Sequence, residues 1–245
     1  AYTTNGATWS YGFVGVWHMN QTNVLDSTRN HYNGTSYTNV NVTGRIGTGQ
    51  SFNGVGSYID IADEFADFTT NGLTLSAWAY PESTANWARF LDFGNGAGNN
   101  NILLARNATT ANLSLELWNG ANSGGTNTYT NAIANGQWQY FAAKCDIFRA
   151  VRLYKDGVQV HAGTSSVFPG AVTRVNNYIG RSNWGADSYF DGLMDEIRVE
   201  NMTRSSNWIW ACWMNQASNN AFAVQQNIVC ALPVISNDGG ASNVT

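Results

Sequence analysis

Short runs in which apolar and polar residues alternate with period two recur along most of the chain, and Gly, Asn, Asp or Pro ends nearly every one. Successive side chains of an extended strand point to opposite faces, so each such run buries one face and wets the other. Ser57-Tyr58-Ile59-Asp60-Ile61-Ala62 alternates cleanly, and Leu73 to Tyr80 keeps the pattern until Pro81 stops it. Further strands are expected at Val14 to Met19, Arg89 to Phe93, Ile102 to Arg106, Leu113 to Trp118, Trp138 to Cys145, Val151 to Lys155, Val158 to His161, Tyr178 to Gly180 and Tyr189 to Val199. Asp156-Gly157 joins two of these runs, and both residue types tolerate the positive φ of a type I′ turn, so a tight hairpin is expected there. Strands at this spacing imply an all-β, two-sheet antiparallel sandwich or jelly roll, with a closed barrel as the alternative. One short helix is expected at Ser206 to Asn215, capped by Ser205 or Ser206, with Trp208, Ala211 and Cys212 sharing a face.

Composition narrows the function classes. Only 11% of the 245 residues are charged, less than half of the roughly 25% usual in soluble domains. Twelve Lys plus Arg against sixteen Asp plus Glu leave a net charge of -4 with no basic run, so the electrostatic footprint of a nucleic-acid binder is missing. No stretch reaches the roughly 18 consecutive apolar residues of a membrane span, which argues against membrane insertion. Asn, Ser, Thr and Gly dominate the polar positions, a composition typical of extracellular β-proteins, either secreted or displayed on a cell surface. Ten Trp, eleven Tyr and eleven Phe supply ample apolar area for a core. Cys145 alternates with Phe141 and Ala143 and reads as a core thiol. Cys212 and Cys230 could pair in an oxidising compartment or remain thiols.

Three stretches in order resemble a known family: Gly15-Val16-Trp17-His18-Met19 followed by Asp26-Ser27-Thr28-Arg29-Asn30; Leu73 to Pro81; and Phe190-Asp191-Gly192-Leu193-Met194-Asp195-Glu196-Ile197-Arg198-Val199. They are similar to the laminin G-like (LamG-type) domains of the concanavalin A-like lectin/glucanase superfamily, over roughly residues 12 to 216. The resemblance implies a concanavalin A-like jelly roll with one short C-terminal helix. It also implies a division into residues 1–12, a lead-in from a preceding module; 13–227, the jelly-roll domain; and 228–245, a linker or the start of a fibronectin type III-like domain.

The resemblance further implies a structural Ca²⁺ held by Asp26, Asn30 and Asp195, with backbone carbonyls near Asn20 and His31 completing the shell. Such a cation needs six to eight oxygens at about 2.3–2.6 Å. The competing reading is an Asx-type turn at Asp26, with Asp195 solvated or paired with Arg198. Superfamily glucanases set two carboxyl groups about 5–5.5 Å apart on one strand face. Here Glu196, Arg198 and Glu200 share a face, and Arg198 stands between the acids, so a salt-linked strand face is expected instead of a glycosidase. The remaining signal is aromatic. Trp87, Trp118 and Trp184 each lie beside Asn or Gly in turn-like segments, where an indole face can stack on a sugar ring while amides bind its hydroxyls. The expected function is a non-catalytic, lectin-like carbohydrate-binding module with a polysaccharide or glycan as partner. The alternative is an adhesion or structural domain contacting other surface proteins or neighbouring subunits. A glycan-cleaving enzyme is the third and weakest reading.

Overall fold

The structure, a computed structural model, describes residues 6–20, 23–61, 63 and 70–218. After a 3-10 turn at Ala7–Trp9 the strands are β1 (Phe13–Trp17), β2 (Asn23–Val24), β3 (Gly34–Tyr37), β4 (Val40–Thr43), β5 (Thr48–Asn53), β6 (Tyr58–Ile61), β7 (Leu73–Pro81), β8 (Arg89–Gly94), β9 (Ile102–Arg106), β10 (Leu113–Asn119), β11 (Asn122–Tyr129), β12 (Gln139–Cys145), β13 (Ala150–Lys155), β14 (Val158–Thr164), β15 (Asn176–Ile179) and β16 (Asp191–Glu200); helix α1 (Ser206–Ala217) follows. All pairings between these strands are antiparallel. One sheet runs β14-β13-β12-β7-β16-β5-β4, with β1 also paired to β16; the other runs β11-β10-β9-β8-β15-β6-β3-β2. This is the two-sheet jelly roll expected from the alternation. We call them the first and second sheets.

The apolar parity of each strand builds the layer between the sheets. Leu75, Ala77 and Phe141 from the first sheet meet Phe90, Phe93, Leu104 and Leu115 from the second, all buried. Phe90 and Phe141 stack across the gap with ring centroids 5.2 Å apart. Fully burying one such ring is worth about 1.5–3 kcal/mol. Cys145 lies in this core, and burial pushes its thiol up to about 12.

The hairpin at Asp156-Gly157 forms with φ of 49° and 77° at its two central residues. Asp156 also accepts a hydrogen bond from the Tyr140 backbone N–H at 2.9 Å, which fastens the turn to β12. Helix α1 begins one residue after Ser205, whose hydroxyl accepts from the Trp208 N–H at 3.1 Å. The helix lies on the outer face of the first sheet, where Ile209 and Trp213 pack with Trp78, Tyr140 and Tyr154. Trp208, Ala211 and Cys212 share a helix face by their i, i+3, i+4 spacing, but Ile209 is the buried anchor, and Trp208 is 41% exposed, lying over the Arg204 guanidinium.

Strands β2, β3, β4, β5 and β11 lie outside the runs where alternation predicts strands. Their sequences, such as Gly34-Thr35-Ser36-Tyr37 and Val40-Asn41-Val42-Thr43, carry few apolar residues, and β2, β4 and β11 end their sheets, where one face and one edge meet water. Residues 6–12 pack onto the sandwich: the Trp9 ring sits 4.8 Å from the Arg198 guanidinium, and Arg204 donates to the Tyr11 carbonyl. The expected linker or module start at 228–245, and Cys230, lie outside the described residues.

Candidate functional site

Helix α1 covers the outer face of the first sheet; the outer face of the second sheet carries the unusual chemistry. Leu113, Leu115 and Leu117 of β10 point into the core, so Ser114, Glu116 and Trp118 point outward. Strand register continues this outer row through Leu103, Asp92, Tyr178 and Asp60 to Thr35. Trp118 stands near the end of β10, in the strand expected over Leu113 to Trp118, where the pairing with β11 shifts register between Glu116 and Trp118. Gly98, at φ 65°, passes beneath it; a Cβ there would meet the Trp118 ring at 3.3 Å.

Trp87, Trp118 and Trp184 converge on one cavity. The rings of Trp118 and Trp184 lie 5.8 Å apart, inclined at 55°. Arg89, only 3% exposed, places its guanidinium 5.3 Å from the centroids of both Trp87 and Trp184. It also donates to the Trp87 carbonyl at 2.7 Å and to Asp187 at 2.8 Å. One buried cation thus fixes two indoles, a geometry worth about 2 kcal/mol or more per contact when desolvated. Trp87 itself sits at φ 50°. A bulky side chain in the left-handed region costs roughly 1–3 kcal/mol and persists only where its surroundings impose it.

The loop from Arg181 to Asp187 crosses this face as a strap, and its anchor is Asp92. The Asp92 carboxylate is fully buried and accepts from Asn101 Nδ2 at 2.9 Å, Asn183 N at 2.9 Å, Asn183 Nδ2 at 3.0 Å and Arg89 Nε at 3.3 Å. Burial pushes this carboxyl up, while Arg89 and the amide donors pull it back. Ser182 donates to Asp187 at 2.8 Å and accepts from the Trp184 N–H at 3.0 Å, which sets the pitch of the strap beside Trp118. At its far end Ser188 N–H donates to the Asn86 carbonyl, tying the strap to the Trp87 loop.

The resulting cavity holds about 190 Å³ and is lined by Trp87, Arg89, Glu116, Trp118, Trp184 and Asp187. Glu116 accepts from the Thr126 hydroxyl. The indole Nε1 of Trp118 is buried without a hydrogen-bond partner among the described residues, which costs about 1–3 kcal/mol. Folding economy alone does not reward that ring position. A larger hollow of about 360 Å³ lies at the β2–β3 edge, lined by Asn, Thr, Ser, Gly and Leu25. It has neither aromatic rings nor charges, so the smaller cavity is the better candidate.

Asp26, Asn30 and Asp195 belong to two separate hydrogen-bond networks. The Asp26 carboxylate accepts from the N–H groups of Val16, Thr28 and Tyr32 and from the Thr28 hydroxyl, at 2.7–3.0 Å. Asn30 donates to the Val14 carbonyl at 2.8 Å. Asp195 is buried, accepts from the Ile46 and Glu196 N–H groups at 2.8 Å each, and is pushed by burial up to about 7. Donors already occupy both Asp26 oxygens, and no cluster of three His, Cys, Asp or Glu able to hold a metal occurs among the described residues. These residues, as arranged, do not fit a Ca²⁺ cage.

The face of Glu196, Arg198 and Glu200 is salt-linked and buried. Arg198 donates to Glu196 at 2.8 Å, His18 contacts the other Glu196 oxygen at 2.6 Å, and Arg204 pairs with Glu200. The alternation breaks here, because the pairing of β16 with β7 bulges between Asp195 and Arg198 and Glu196 takes φ 49°. Trp17 and Trp78 are buried packing residues, 0% and 2% exposed. Sequence reasoning missed Arg89, Asp92, Asn183 and Asp187; the available signal was an Arg and an Asp three apart inside an otherwise apolar strand.

A two-layer antiparallel jelly roll of this kind is the architecture of lectin-like sandwich domains. The chain belongs to the Laminin_G_3 family of the concanavalin A-like lectin/glucanases superfamily, whose model matches residues 53–210. No curated protein matches it. Among solved structures, domain 4 of AbnA, a GH43 extracellular arabinanase from Geobacillus stearothermophilus, in complex with arabinotriose, is similar with a TM-score of 0.64 at 22% identity, over 81% of this chain and 97% of that one. The binding domain of botulinum neurotoxin serotype G is similar with a TM-score of 0.67 at 10% identity, over 85% of this chain and 52% of that one. The binding domain of Paraclostridial Mosquitocidal Protein 1 gives 0.63 at 12%, over 82% and 52%. The chain thus spans about half the length of those toxin domains. At these identities the likeness is one of fold.

Proposed function

We propose that this domain is a non-catalytic carbohydrate-binding module of an extracellular protein, and that its glycan docks in the cavity of Trp87, Trp118 and Trp184. The observation that carries this reading is the convergence of three indoles, from a loop, a strand and the strap, on one partly open cavity, held by the buried Arg89. Indole faces stack on the C–H face of a sugar, and the carboxylates of Glu116 and Asp187 are acceptors for its hydroxyls. The arabinotriose complex of the AbnA domain supports the reading by analogy of fold.

Carboxylates outnumber cations around the cavity, with Asp92, Asp187 and Glu116 against Arg89, so a neutral glycan is favoured over an acidic one. Asp187 is committed to Arg89 and Ser182, and Glu116 to Thr126. The Glu196-Arg198-Glu200 face is consumed by ion pairs. These commitments favour binding over cleavage. A glycan array probed with wild type and Trp184→Ala tests the assignment: neutral glycans should be retained by the wild type and lost by the variant. Equal retention would remove the cavity from the binding site, and release of reducing sugar from a retained glycan would make the domain an enzyme.

A further inference from the structure

The cavity is small. Sites that enclose a drug-sized ligand hold about 300–1,000 Å³, whereas this one holds about 190 Å³. A sugar seated in it leaves the rest of its chain outside, and the outer row of the second sheet shows where that chain would lie.

Along that row from Glu116, past Leu103 and Asp92, the next residue is Tyr178. Here a second aromatic cluster stands on the same face. Tyr37 and Tyr58 stack in parallel, with centroids 4.4 Å apart and planes inclined by 3°. Tyr178 meets Tyr58 edge-on at 5.8 Å. Arg181, the first residue of the strap, lies 4.7 Å from the Tyr58 centroid and 4.4 Å from that of Tyr178. Among the described residues Arg181 has no ion-pair partner within salt-bridge distance. Tyr37 and Tyr58 are thus rigid phenols, which give contact area at low cost in side-chain entropy; Tyr178, 9% exposed, backs them, and Arg181 offers guanidinium donors.

We propose that Tyr37, Tyr58, Tyr178 and Arg181 form a second sugar subsite, so that the module reads several consecutive units of one linear, neutral polysaccharide lying across the strands. The proposal rests on the reading of the tryptophan cavity as a sugar site. The two clusters share one mechanical element, because the strap places Arg181 on the tyrosines and Trp184 on Trp118. From β10 to β6 there are four inter-strand steps, about 19 Å at about 4.8 Å each. A chain, and not a single sugar, bridges that span. Charge selects the class of chain: Asp60 interacts with both Arg181 and Asp63, so among the described residues carboxylates outnumber cations at this end as at the other. Neutral chains meet acceptors for their hydroxyls at both ends, whereas acidic chains meet repulsion.

The test is calorimetric titration of the whole chain with disaccharides and hexasaccharides of arabinan, xylan, β-glucan and mannan, with polygalacturonate as the acidic control. The hexasaccharide of the recognised glycan should bind about tenfold more tightly than its disaccharide, as one further stacking contact supplies. Tyr58→Ala should close that gap. Tyr37→Ala, at a ring 42% exposed on β3, should narrow it without burdening the core, and thermal melts of both variants exclude misfolding. Trp118→Ala should weaken short and long ligands alike. Disaccharide binding with no gain from length, or a gap that survives both tyrosine changes, overturns the second subsite while leaving the cavity reading intact. Absence of binding by every neutral glycan overturns both, and tighter binding of polygalacturonate overturns the neutral class.

Discussion

The two outer faces of this sandwich are built from similar residues and treated differently. On the first sheet Trp78, Tyr140 and Tyr154 lie under Ile209 and Trp213 of α1, and the carboxyl groups of Asp195, Glu196 and Glu200 are buried among backbone donors and ion pairs. On the second sheet no helix among the described residues is laid over Trp118, Tyr58 and Tyr178. A single strap crosses them, and the indoles keep partly open faces around a cavity. Cations lie over rings on both faces, Arg45 at Trp78 and Lys144 at Tyr154 on the first, Arg89 and Arg181 on the second; only on the first does a helix cover the aromatics as well. A partly exposed aromatic patch that rigid polar contacts position is a common mark of a binding surface.

The sharpest way to break this comparison is to remove the charge beneath the second face. Arg89→Ala leaves Asp92 buried without its cation and should cost about 3–5 kcal/mol, read as a lower denaturant midpoint, with glycan affinity lost as Trp87 and Trp184 come free. If affinity survives, Arg89 does not position the indoles. On the first face, Ile209→Ala should cost about 2–5 kcal/mol through the cavity it opens while leaving glycan affinity as it was. Loss of affinity there would show that the faces are coupled.

A pH series sharpens the contrast further. Asp195 is pushed from its ordinary range near 4 up to about 7 by burial, so the folded chain holds a proton that the unfolded chain has already released. Stability should therefore fall as pH rises between about 4 and about 7, by up to about 1.4 kcal/mol per unit, and level off above. Glu196, lowered chiefly by its His18 and Arg198 partners against its own desolvation, acts in the opposite sense near its own lower range. Asp195→Asn should flatten the slope, and an unchanged slope would assign it elsewhere. The smallest expected effect is that of a calcium chelator, which should leave the melting temperature unchanged. A drop equivalent to about 2.7 kcal/mol, the linkage expected at a hundredfold excess over Kd, would restore calcium at Asp26, Asn30 and Asp195.

How far the sequence discloses this arrangement differs between its parts. Alternation reveals strands where Val, Ile, Leu and Phe contrast with polar neighbours, as in Leu73 to Tyr80. It is silent for Gly34 to Tyr37 and for β11, where Asn, Thr, Ser and Gly give no contrast although each strand pairs with a neighbour. Trp87, Trp118 and Trp184 are visible as indoles near turns, yet only strand register and the strap bring them together. Tyr58 and Tyr178 were readable in principle, because each is an aromatic at the polar parity of an alternating run. Arg89 and Asp92 escape the pattern because a bulge between Arg89 and Leu91 disturbs the period at that point. Asp26 and Asp195 fit a ligand motif in residue type, but Asp26 already accepts four hydrogen bonds and Asp195 accepts from two backbone N–H groups in a separate network.

Affinity electrophoresis through gels containing neutral polysaccharides, with wild type and Trp118→Ala run side by side, tests the central claim most directly. The account predicts that at least one neutral polysaccharide retards the wild type and that the variant, folded to the same melting temperature within a few degrees, migrates as in an empty gel. Equal retardation of the two proteins, or free migration of the wild type through every neutral polysaccharide, would contradict it.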